Sequence, residues 1–394
     1  MDNNLLNWPS HTREEIEAVS QVLRSNKTNY WTGQEARLFE SEYSAFVNTE
    51  YAVALGNGTL ALDLALVALE VGIGDEVIVT SRTFLASVSS IVNCGAKPVF
   101  ADIDIDTQNI SIHTIREVLT ENTKAIICVH LAGWPCDMDP IVELAKMNDL
   151  FIIEDCAQAH GAIYKGSPVG SLGDIGCWSF CNDKIISTGG EGGMVTTNSK
   201  ELWSKMWSYK DHGKDFDTVY NTNHKPGFRW LSKSFGTNWR MNELQAAIGR
   251  MQLKKIDDWT LKRRENAFQI WNIAKELPHV RIPITGAENY NALSSESRHA
   301  AYRCYIFIDG SEDDRDAIIS KISEKGVPCF SGSCSEVYLE KAFENTNFRP
   351  DQRLKNAKKL GEQSVAFLCH PTMEKKDVAF ICDIMKKVIL EYYS

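Results

Sequence analysis

Short apolar runs alternate with amphipathic stretches along the first two thirds of the chain. The apolar runs predict strands at 52–55, 76–80, 97–102, 124–130, 151–155, 176–180 and 193–197. Between several of these runs the apolar positions recur with the period of a helix, which predicts helices at 59–69, 84–94 and 140–146. Strands that alternate with helices usually pair in parallel, so this part of the chain is expected to form a mainly parallel sheet flanked by helices.

The two ends of the chain carry different patterns. Residues 13–48 show a helical pattern that Trp31-Thr32-Gly33 interrupts and that resumes at 35–47. After about residue 250, a long charged helix is predicted at 250–277, a strand at 302–308, a helix at 313–325 and a terminal helix at 376–392. A chain of 394 residues exceeds the usual length of one domain. We therefore predict an N-terminal segment with a large α/β domain at 1–255 and a smaller α+β domain at 256–394.

Charge and cysteine content narrow the class of protein. The chain has 42 basic and 52 acidic residues, a net charge of −10 with no long run of either sign, which gives no reason to expect nucleic acid as a partner. No apolar stretch is long enough to span a bilayer, and the N-terminus lacks the pattern of a secretory signal. Eleven scattered cysteines without a CxxC pair argue against a disulfide framework and against a structural zinc site. We expect a cytoplasmic protein with reduced cysteines and no metal.

In an open α/β sheet, ligands bind at the carboxyl ends of the strands, which directs attention to the residue that follows each apolar run. The turn Gly56-Asn57-Gly58-Thr59 lies between a predicted strand and a helix that Thr59 is placed to cap. Small residues at a helix N-terminus let backbone N–H groups approach an anion, which is typical of a phosphate site. The same four residues also suit an ordinary turn.

Acidic and basic residues follow two later strands. Asp155 ends the predicted strand 151–155, where a carboxylate can hold a heterocyclic ring nitrogen in its protonated form. The competing interpretation is a helix N-cap, since aspartate is favoured there as well. Lys184 follows the strand 176–180 in a loop rich in glycine, where burial is expected to lower the lysine pKa and free the amine for attack on a carbonyl. Most lysines are instead solvated surface groups.

The order of these features is more specific than any one of them. A phosphate turn is followed by an aromatic residue, a strand-end aspartate, a serine and a lysine. The motifs that carry this order are Tyr30-Trp31-Thr32-Gly33, Gly56-Asn57-Gly58-Thr59, Thr83-Phe84-Leu85-Ala86-Ser87, EDCAQAHG at 154–161, Ser179-Phe180 with Lys184, GEGGM at 190–194 and GTNWRMNELQAA at 236–247. Together they resemble the DegT/DnrJ/EryC1/StrS sugar aminotransferases, strongly over residues 7–260 and more loosely beyond.

This resemblance implies an aspartate-aminotransferase-like fold of type I that binds pyridoxal 5′-phosphate (PLP). It implies that Lys184 is the Schiff-base lysine and that Asp155 is the partner of the pyridinium nitrogen. The other implied cofactor contacts are Gln158 at the ring face or 3-oxygen, Phe84 stacked on the ring, and Gly58, Thr59 and Ser179 at the phosphate. Asn238 is implied to reach the phosphate of a second subunit, which predicts a homodimer with shared active sites.

The resemblance also implies a reaction. Relatives that act as sugar 3-dehydratases carry histidine in place of the lysine, so Lys184 favours transamination, with L-glutamate as the amino donor and a keto or aldehyde sugar as the acceptor. The chain departs from the common family pattern at 326–336 (GVPCFSGSCSE) and at Cys369-His370-Pro371-Thr372, which are expected to touch the substrate. A nucleotide-linked sugar and a free keto-acid sugar such as 8-oxo-Kdo, for cell-surface polysaccharide or lipopolysaccharide, therefore both stay open. A PLP-dependent sugar dehydratase or a non-catalytic regulatory relative is the alternative.

Three further residues carry open alternatives. His160 is placed either to line the site or to pack in the core through hydrogen bonds. His212 lies in a loop that either approaches the substrate or simply turns. Arg240 suits either a carboxylate or phosphate ligand or an interface salt bridge, of which the salt bridge is the commoner role.

Overall fold

The computed structural model describes residues 4–227, 229–283 and 297–394. Two sheets organise the chain, one of seven strands and one of four. The strands of the larger sheet are β1 (Tyr51–Leu55), β2 (Glu76–Thr80), β3 (Lys97–Ala101), β4 (Thr123–Val129), β5 (Phe151–Asp155), β8 (Ile175–Ser179) and β9 (Gly193–Thr197), after the short hairpin β6 (Ile163–Tyr164) and β7 (Ser167–Pro168). The predicted strands of this region are confirmed, with ends that differ by one residue at most.

The larger sheet has the strand order β1-β9-β8-β5-β4-β2-β3. The pairs β2–β3, β2–β4, β4–β5 and β5–β8 are parallel. Strand β9 is antiparallel to both of its neighbours, β1 and β8. The reason is its connection, because β9 follows β8 through a loop without a crossover helix, and a chain that turns back directly must pair antiparallel. The expected mainly parallel sheet is thus confirmed with one reversed strand.

Helices cover the larger sheet and continue to the C-terminus. They are α1 (Arg13–Ser25), α2 (Glu35–Phe46), α3 (Gly58–Ala68), α4 (Ala86–Asn93), α5 (Ile112–Arg116), α6 (Met138–Met147), α7 (Lys200–Tyr209), α8 (Phe216–Tyr220), α9 (Glu243–Leu253), α10 (Ile256–Ala274), α11 (Glu312–Glu324), α12 (Lys355–Gln363) and α13 (Lys375–Tyr393). Apolar residues of α3 and α4, such as Leu64 and Val88, are fully buried in one cluster with Val77 and Val195 of the sheet. This packing holds the carboxyl ends of the strands in place.

The smaller sheet is antiparallel and has the order β10-β11-β13-β12. Its strands are β10 (Val280–Arg281), β11 (Cys304–Ile308), β12 (Cys329–Phe330) and β13 (Ser364–Phe367). Helices α10, α11 and α13 bury their apolar faces against it, and Leu5 near the N-terminus belongs to the same apolar cluster. The expected smaller α+β unit is present at the C-terminal end of the chain.

The single helix predicted at 250–277 is wrong. The structure has two helices, α9 and α10, which separate at Lys254 and Lys255. Neither glycine nor proline marks this break, so the local sequence gives no stop signal. The Lys255 amine instead pairs with Glu15 of α1 at 2.8 Å, a tertiary contact. The break coincides with the boundary predicted at residues 255 and 256, and the division into two domains there stays a prediction.

Among the described helices, none combines the length and the apolarity that a membrane crossing requires. All eleven cysteines are free thiols, and Cys128 and Cys156 are buried as small apolar groups.

Candidate active site

The candidate cleft is the edge of the sheet where strands β5 and β8 end, beside the N-terminus of α3. Asp155 is the last residue of β5 and Ser179 is the last residue of β8. Because these strands are parallel neighbours, their carboxyl ends meet at one edge of the sheet, and the loop that carries Lys184 leaves from the same edge. The tertiary structure therefore brings together residues that lie up to about 130 positions apart in the sequence.

Asp155 is nearly buried and accepts hydrogen bonds from neutral groups. The Ser87 hydroxyl donates to Oδ2 at 2.8 Å, and the backbone N–H of Ala157 donates to Oδ1 at 3.1 Å. Thr83 Oγ1 lies 2.7 Å from Ser87 Oγ, which orients the serine. No helix follows Asp155 before the hairpin of β6 and β7, so the N-cap interpretation is wrong.

The preceding carboxylate, Glu154, has a different role. It is fully buried and accepts from His130 Nε2 at 3.0 Å and from the backbone N–H groups of Gly170, Leu172 and Gly173 at 2.7–2.8 Å. His130 also accepts from the backbone N–H of Cys136, so both of its ring nitrogens are engaged. Although Cys156 completes a cluster with metal-ligand chemistry, these bonds already satisfy the His130–Glu154 pair. Glu154 fixes the loop beside β5 and does not face the cleft.

This buried pair predicts a stability that depends on pH. Burial acts to raise the pKa of Glu154, but the bonds from His130 and the backbone outweigh it, so the pKa lies below its ordinary value of 4.5. The contribution to folding is therefore fully present above about pH 4.5 and is lost as the pH falls through the folded-state pKa. Glu154→Gln should lower the free energy of unfolding at pH 7 by about 3–5 kcal/mol.

Chemical denaturation at pH 7 and at pH 4 measures this difference between wild type and Glu154→Gln. The gap should narrow at the lower pH. The exposed Glu143→Gln on α6 is the matched control and should match wild type at both values. An equal gap at the two pH values would contradict the assignment.

The turn before α3 forms a cradle of backbone and small side chains. The cap of this helix is Asn57, whose side chain accepts from the N–H of Leu60 at 3.0 Å, so the prediction that Thr59 caps it is wrong. Gly58 and Thr59 instead occupy the first turn, where N–H groups have no acceptor within the helix. A Cβ on Gly58 would lie 2.6 Å from Cβ of Ser179. Only glycine lets the helix start approach Ser179 this closely, and the three predicted phosphate residues are adjacent.

Lys184 lies at the mouth of the cleft with 17% of its side chain exposed. Its Nζ is 3.9 Å from Oδ1 of Asp183 and 5.1 Å from the ring centre of Tyr302. Asp183 is itself held by the Tyr302 hydroxyl and by Arg303 at 3.1 Å. The amine is thus neither a free surface group nor buried in apolar surroundings.

The expected direction of the Lys184 pKa is wrong. Burial does lower it, but Tyr302, Asp183 and Asp155 raise it, and the net pKa is above the ordinary value for lysine. The amine is therefore protonated at neutral pH, and its positive charge balances the carboxylates at this edge of the sheet.

The glycines that follow Lys184 permit close packing around the loop. A side chain on Gly192 would collide with Thr188, and one on Gly193 with the backbone of Asn57 in the turn before α3. Gly189 and Gly190 have φ values of +80° and +119°, which favour glycine. The glycine run therefore brings the lysine loop and the phosphate turn together.

Phe84 and Gln158 are the other two residues that the resemblance predicts to contact the cofactor ring. Phe84 follows β2 and exposes 71% of its ring, an unusual placement for an aromatic residue on a sheet edge. Gln158 is nearly buried, and its Oε1 accepts from the backbone N–H of Ala132 at 2.7 Å. The amide nitrogen of Gln158 is therefore the atom that can donate a hydrogen bond to a ligand. Phe84 offers an apolar face and Gln158 a hydrogen-bond donor.

Asn238 lies outside this cluster, exposed in a loop that forms a bridge to Asp211. Arg240 donates to Asp211 at 2.6 Å, a salt bridge within the chain, and its role at an interface stays a prediction. His212 is exposed in the same loop, and its backbone N–H donates to the backbone carbonyl of Thr237. This part of the structure brings Asn238 to the surface and not to the chain's own cleft.

The segment that departs from the family pattern lies against the cleft. The carbonyl of Cys334 accepts from the N–H of Thr83 at 3.1 Å, next to Phe84. Arg82, fully buried, donates to the hydroxyls of Ser335 and Ser364 at 2.8 Å and thereby ties this segment and the smaller sheet to the turn after β2. By contrast His370 is buried and bonded to the carbonyl of Leu5 at 3.0 Å, away from the cleft.

His160 is a core residue. Its Nδ1 lies 2.7 Å from the hydroxyl of Tyr43, and its Nε2 lies 2.8 Å from the carbonyl of Ser179. Burial lowers its pKa to about 3, which keeps the ring neutral. The packing interpretation is correct, and His160 supports Ser179 from behind.

Sequence reasoning missed the supporting residues of the site. The motif 83–87 by itself assigns no role to Ser87. The signal that points to it is its position one helical turn after Phe84, which places its hydroxyl on the side of the site. Asp183 adjoins Lys184 in the sequence, but no pattern there identifies it as the ion-pair partner of this lysine. Tyr302 lies more than a hundred residues later, and no local pattern points to its contact with Asp183.

Comparison with known proteins gives a consistent result. The DegT/DnrJ/EryC1/StrS aminotransferase family matches residues 9–386. A GDP-perosamine synthase of Escherichia coli O157:H7 is 36% identical over 400 aligned residues, which cover 98% of this chain and 97% of that enzyme. Among solved structures, an aminotransferase from Psychrobacter cryohalolentis is 55% identical with a TM-score of 0.93, over 98% of this chain and 99% of that one. DesV of Streptomyces venezuelae is 29% identical with a TM-score of 0.84, over 95% and 94%.

The chemistry of the cleft suits the cofactor of this family. The cradle at Gly58 accommodates a phosphate, the exposed ring of Phe84 offers a stacking face, and the Asp155 carboxylate offers a partner for a protonated ring nitrogen. The Lys184 amine lies in the same space. The chain therefore belongs to the DegT/DnrJ/EryC1/StrS family and is a PLP-dependent sugar aminotransferase with the type I fold.

Proposed function

We propose that this enzyme transfers an amino group from L-glutamate to the carbonyl of a sugar used in cell-surface polysaccharide or lipopolysaccharide. The observation that carries the proposal is that Asp155 and Ser179 end two parallel neighbouring strands, that Gly58 closely approaches Ser179, and that the loop of Lys184 follows the second strand. When bound, the cofactor supplies an electron sink for the carbanion that forms when a proton leaves the substrate carbon. The protein supplies the position, the charge and the proton transfer.

Lys184 has two roles in this proposal. In the resting enzyme it binds the cofactor covalently through Nζ, and during turnover the freed amine moves a proton to and from the reacting carbon. Asp183 and Tyr302 hold the amine near the mouth of the cleft. The first half-reaction converts L-glutamate to 2-oxoglutarate, and the second converts the sugar carbonyl to an amine.

The other predicted residues bind and orient the cofactor. Asp155, fixed by Ser87, keeps the ring nitrogen protonated, because a nearby carboxylate stabilises the charged form. Phe84 would stack on the ring, and Gln158 would contact the ring face or the 3-oxygen. Gly58, Thr59 and Ser179 bind the phosphate at the N-terminus of α3.

Asn238 completes the phosphate site of a second subunit in this proposal. It lies on an exposed loop close to Phe235, which is 99% exposed, and to Trp230, which is 85% exposed. Apolar side chains grouped on a surface in this way mark protein interfaces. A homodimer with shared active sites accounts for both the exposure and the position of Asn238.

The acceptor is a keto or aldehyde sugar, either nucleotide-linked or a free keto-acid sugar such as 8-oxo-Kdo. The names of the relatives support the first, since the Escherichia coli relative is a GDP-perosamine synthase. The distinct segment around Cys334, held against Phe84 through Thr83, supports an acceptor that differs from the common one. A screen of both acceptor classes with glutamate-treated enzyme separates the two.

A sugar dehydratase and a non-catalytic regulatory relative are the alternative functions. Lysine at position 184 favours the transaminase, because an amine is required for the covalent link and histidine cannot form it.

An absorbance scan before and after addition of L-glutamate tests the proposal. We expect a band of the lysine-bound cofactor near about 410–430 nm that shifts toward about 330 nm, as a donor half-reaction requires. Release of 2-oxoglutarate should match the loss of the first band. A band that ignores glutamate would contradict the donor, and no band after addition of free PLP would favour the non-catalytic alternative.

A further inference from the structure

The N-terminal segment reaches the catalytic loop through one side chain. Trp8 donates its indole N–H to the backbone carbonyl of Lys184 at 2.8 Å, across 176 positions of sequence. The backbone N–H of Lys184 donates to the carbonyl of Cys181 at 3.0 Å within its own loop. The backbone of Lys184 is therefore held on one side by its local turn and on the other side by Trp8 alone among the described residues.

Trp8 is itself fixed by residues that pack on the smaller sheet. Its ring lies 4.7 Å from the guanidinium carbon of Arg263 and packs edge-on against Trp259 of α10 at 5.0 Å. On the other side it lies parallel to His370, which donates toward the carbonyl of Leu5. Thr372 also donates to the carbonyl of Asn7 at 3.1 Å. The segment is thus held by α10 and by the residues that follow β13, while its indole binds the loop that follows β8.

Arg263 explains why the ring position is defined. The guanidinium is fully buried, and none of its nitrogens has a hydrogen-bond partner in the described ranges. A desolvated cation without a carboxylate is stabilised by the face of a tryptophan more strongly than an exposed one. Trp8 therefore cannot leave Arg263 without loss of that contact, and the direction of its N–H toward Lys184 is fixed.

We infer that Trp8 is a positioning residue for the catalytic lysine, which returns the Lys184 amine to the same place whenever it is free of the cofactor. The inference rests on the proposed role of Lys184. The phosphate cradle, Phe84 and Asp155 do not depend on this bond, so cofactor affinity should not change. Trp8 should affect the steps in which the free amine transfers a proton, and kcat is the quantity in which we expect to observe this effect.

Trp8→Phe is the direct test, because it removes the N–H and keeps an aromatic face over Arg263. Trp203→Phe is the matched control, since Trp203 on α7 packs against Tyr51 and Phe216 and no contact of the described residues joins it to Trp8 or Lys184. We expect kcat of Trp8→Phe to fall about tenfold, in line with the large cost of misplacing a catalytic group by about 1 Å. KM for glutamate should stay within about twofold, and Trp203→Phe should match wild type.

Hydrogen exchange of the segment 181–186 provides a readout that does not depend on activity. It should be faster in Trp8→Phe than in wild type or in Trp203→Phe, at equal melting temperature. If Trp8→Phe does not fold, 3-benzothienylalanine at position 8 keeps the shape of tryptophan without the N–H. Equal kcat and equal exchange in the two variants would overturn the inference. Failure of wild type to respond to glutamate would instead overturn the proposed function.

Discussion

Lys184→Ala is expected to abolish transamination, with both half-reactions slower by about 10⁴-fold or more, because the change removes the covalent attachment and the proton-transfer group together. The cofactor should still bind without a covalent link, since the cradle at Gly58, the ring of Phe84 and the carboxylate of Asp155 are unchanged. Single-turnover absorbance with glutamate, together with mass spectrometry of the borohydride-reduced protein, measures both effects. Wild type should show the cofactor attached at residue 184, and the variant should show none.

Lys165→Ala is the matched control for this prediction. Lys165 pairs with Asp139 on the surface, and neither residue is among those predicted to bind the cofactor. A surface pair contributes little to stability, so the control should keep wild-type rates. Normal transamination by Lys184→Ala would disprove the proposed mechanism.

Asp155→Asn should lower kcat/KM by about 10²- to 10³-fold, the size typical of removing one preorganised electrostatic group. Asparagine has the same shape and can still accept from Ser87 or from the N–H of Ala157, so the fold and the cleft are kept. What is lost is the negative charge that keeps the ring nitrogen protonated and the electron sink effective. The raised pKa of Lys184 should also fall, because Asp155 is one of the groups that raise it.

Steady-state kinetics and the affinity for PLP separate these effects. Affinity should fall much less than kcat/KM, because phosphate and stacking contacts remain. The isosteric control Asp139→Asn removes a surface carboxylate that pairs with Lys165 and should leave both quantities unchanged. A variant Asp155→Asn as fast as wild type would show that this carboxylate does not face the ring nitrogen.

The sequence by itself determined the large sheet and the candidate residues of the site. Each strand is a short apolar run, and such a run favours a buried strand whatever its neighbours are. Strands such as β2 and β5 could therefore be predicted without tertiary information. The functional residues follow those runs directly, and the parallel order of strands places their carboxyl ends together. Asp155, Ser179 and the turn at Gly58 could therefore be placed in one cleft from local patterns and the family resemblance.

Only the tertiary structure decided the charge state and the support of the site. Glu154 and Asp155 are adjacent acids that point to opposite sides of one strand, and the partners that each side meets are distant in sequence. The pKa of Lys184 rises instead of falling because Tyr302 and Asp183 outweigh burial, and Tyr302 comes from the other end of the chain. The break between α9 and α10 and the bond from Trp8 to Lys184 likewise depend on contacts between residues that are distant in the sequence. Local patterns report what a residue prefers, whereas electrostatic and hydrogen-bond partners are set by which distant elements the folded core brings into contact.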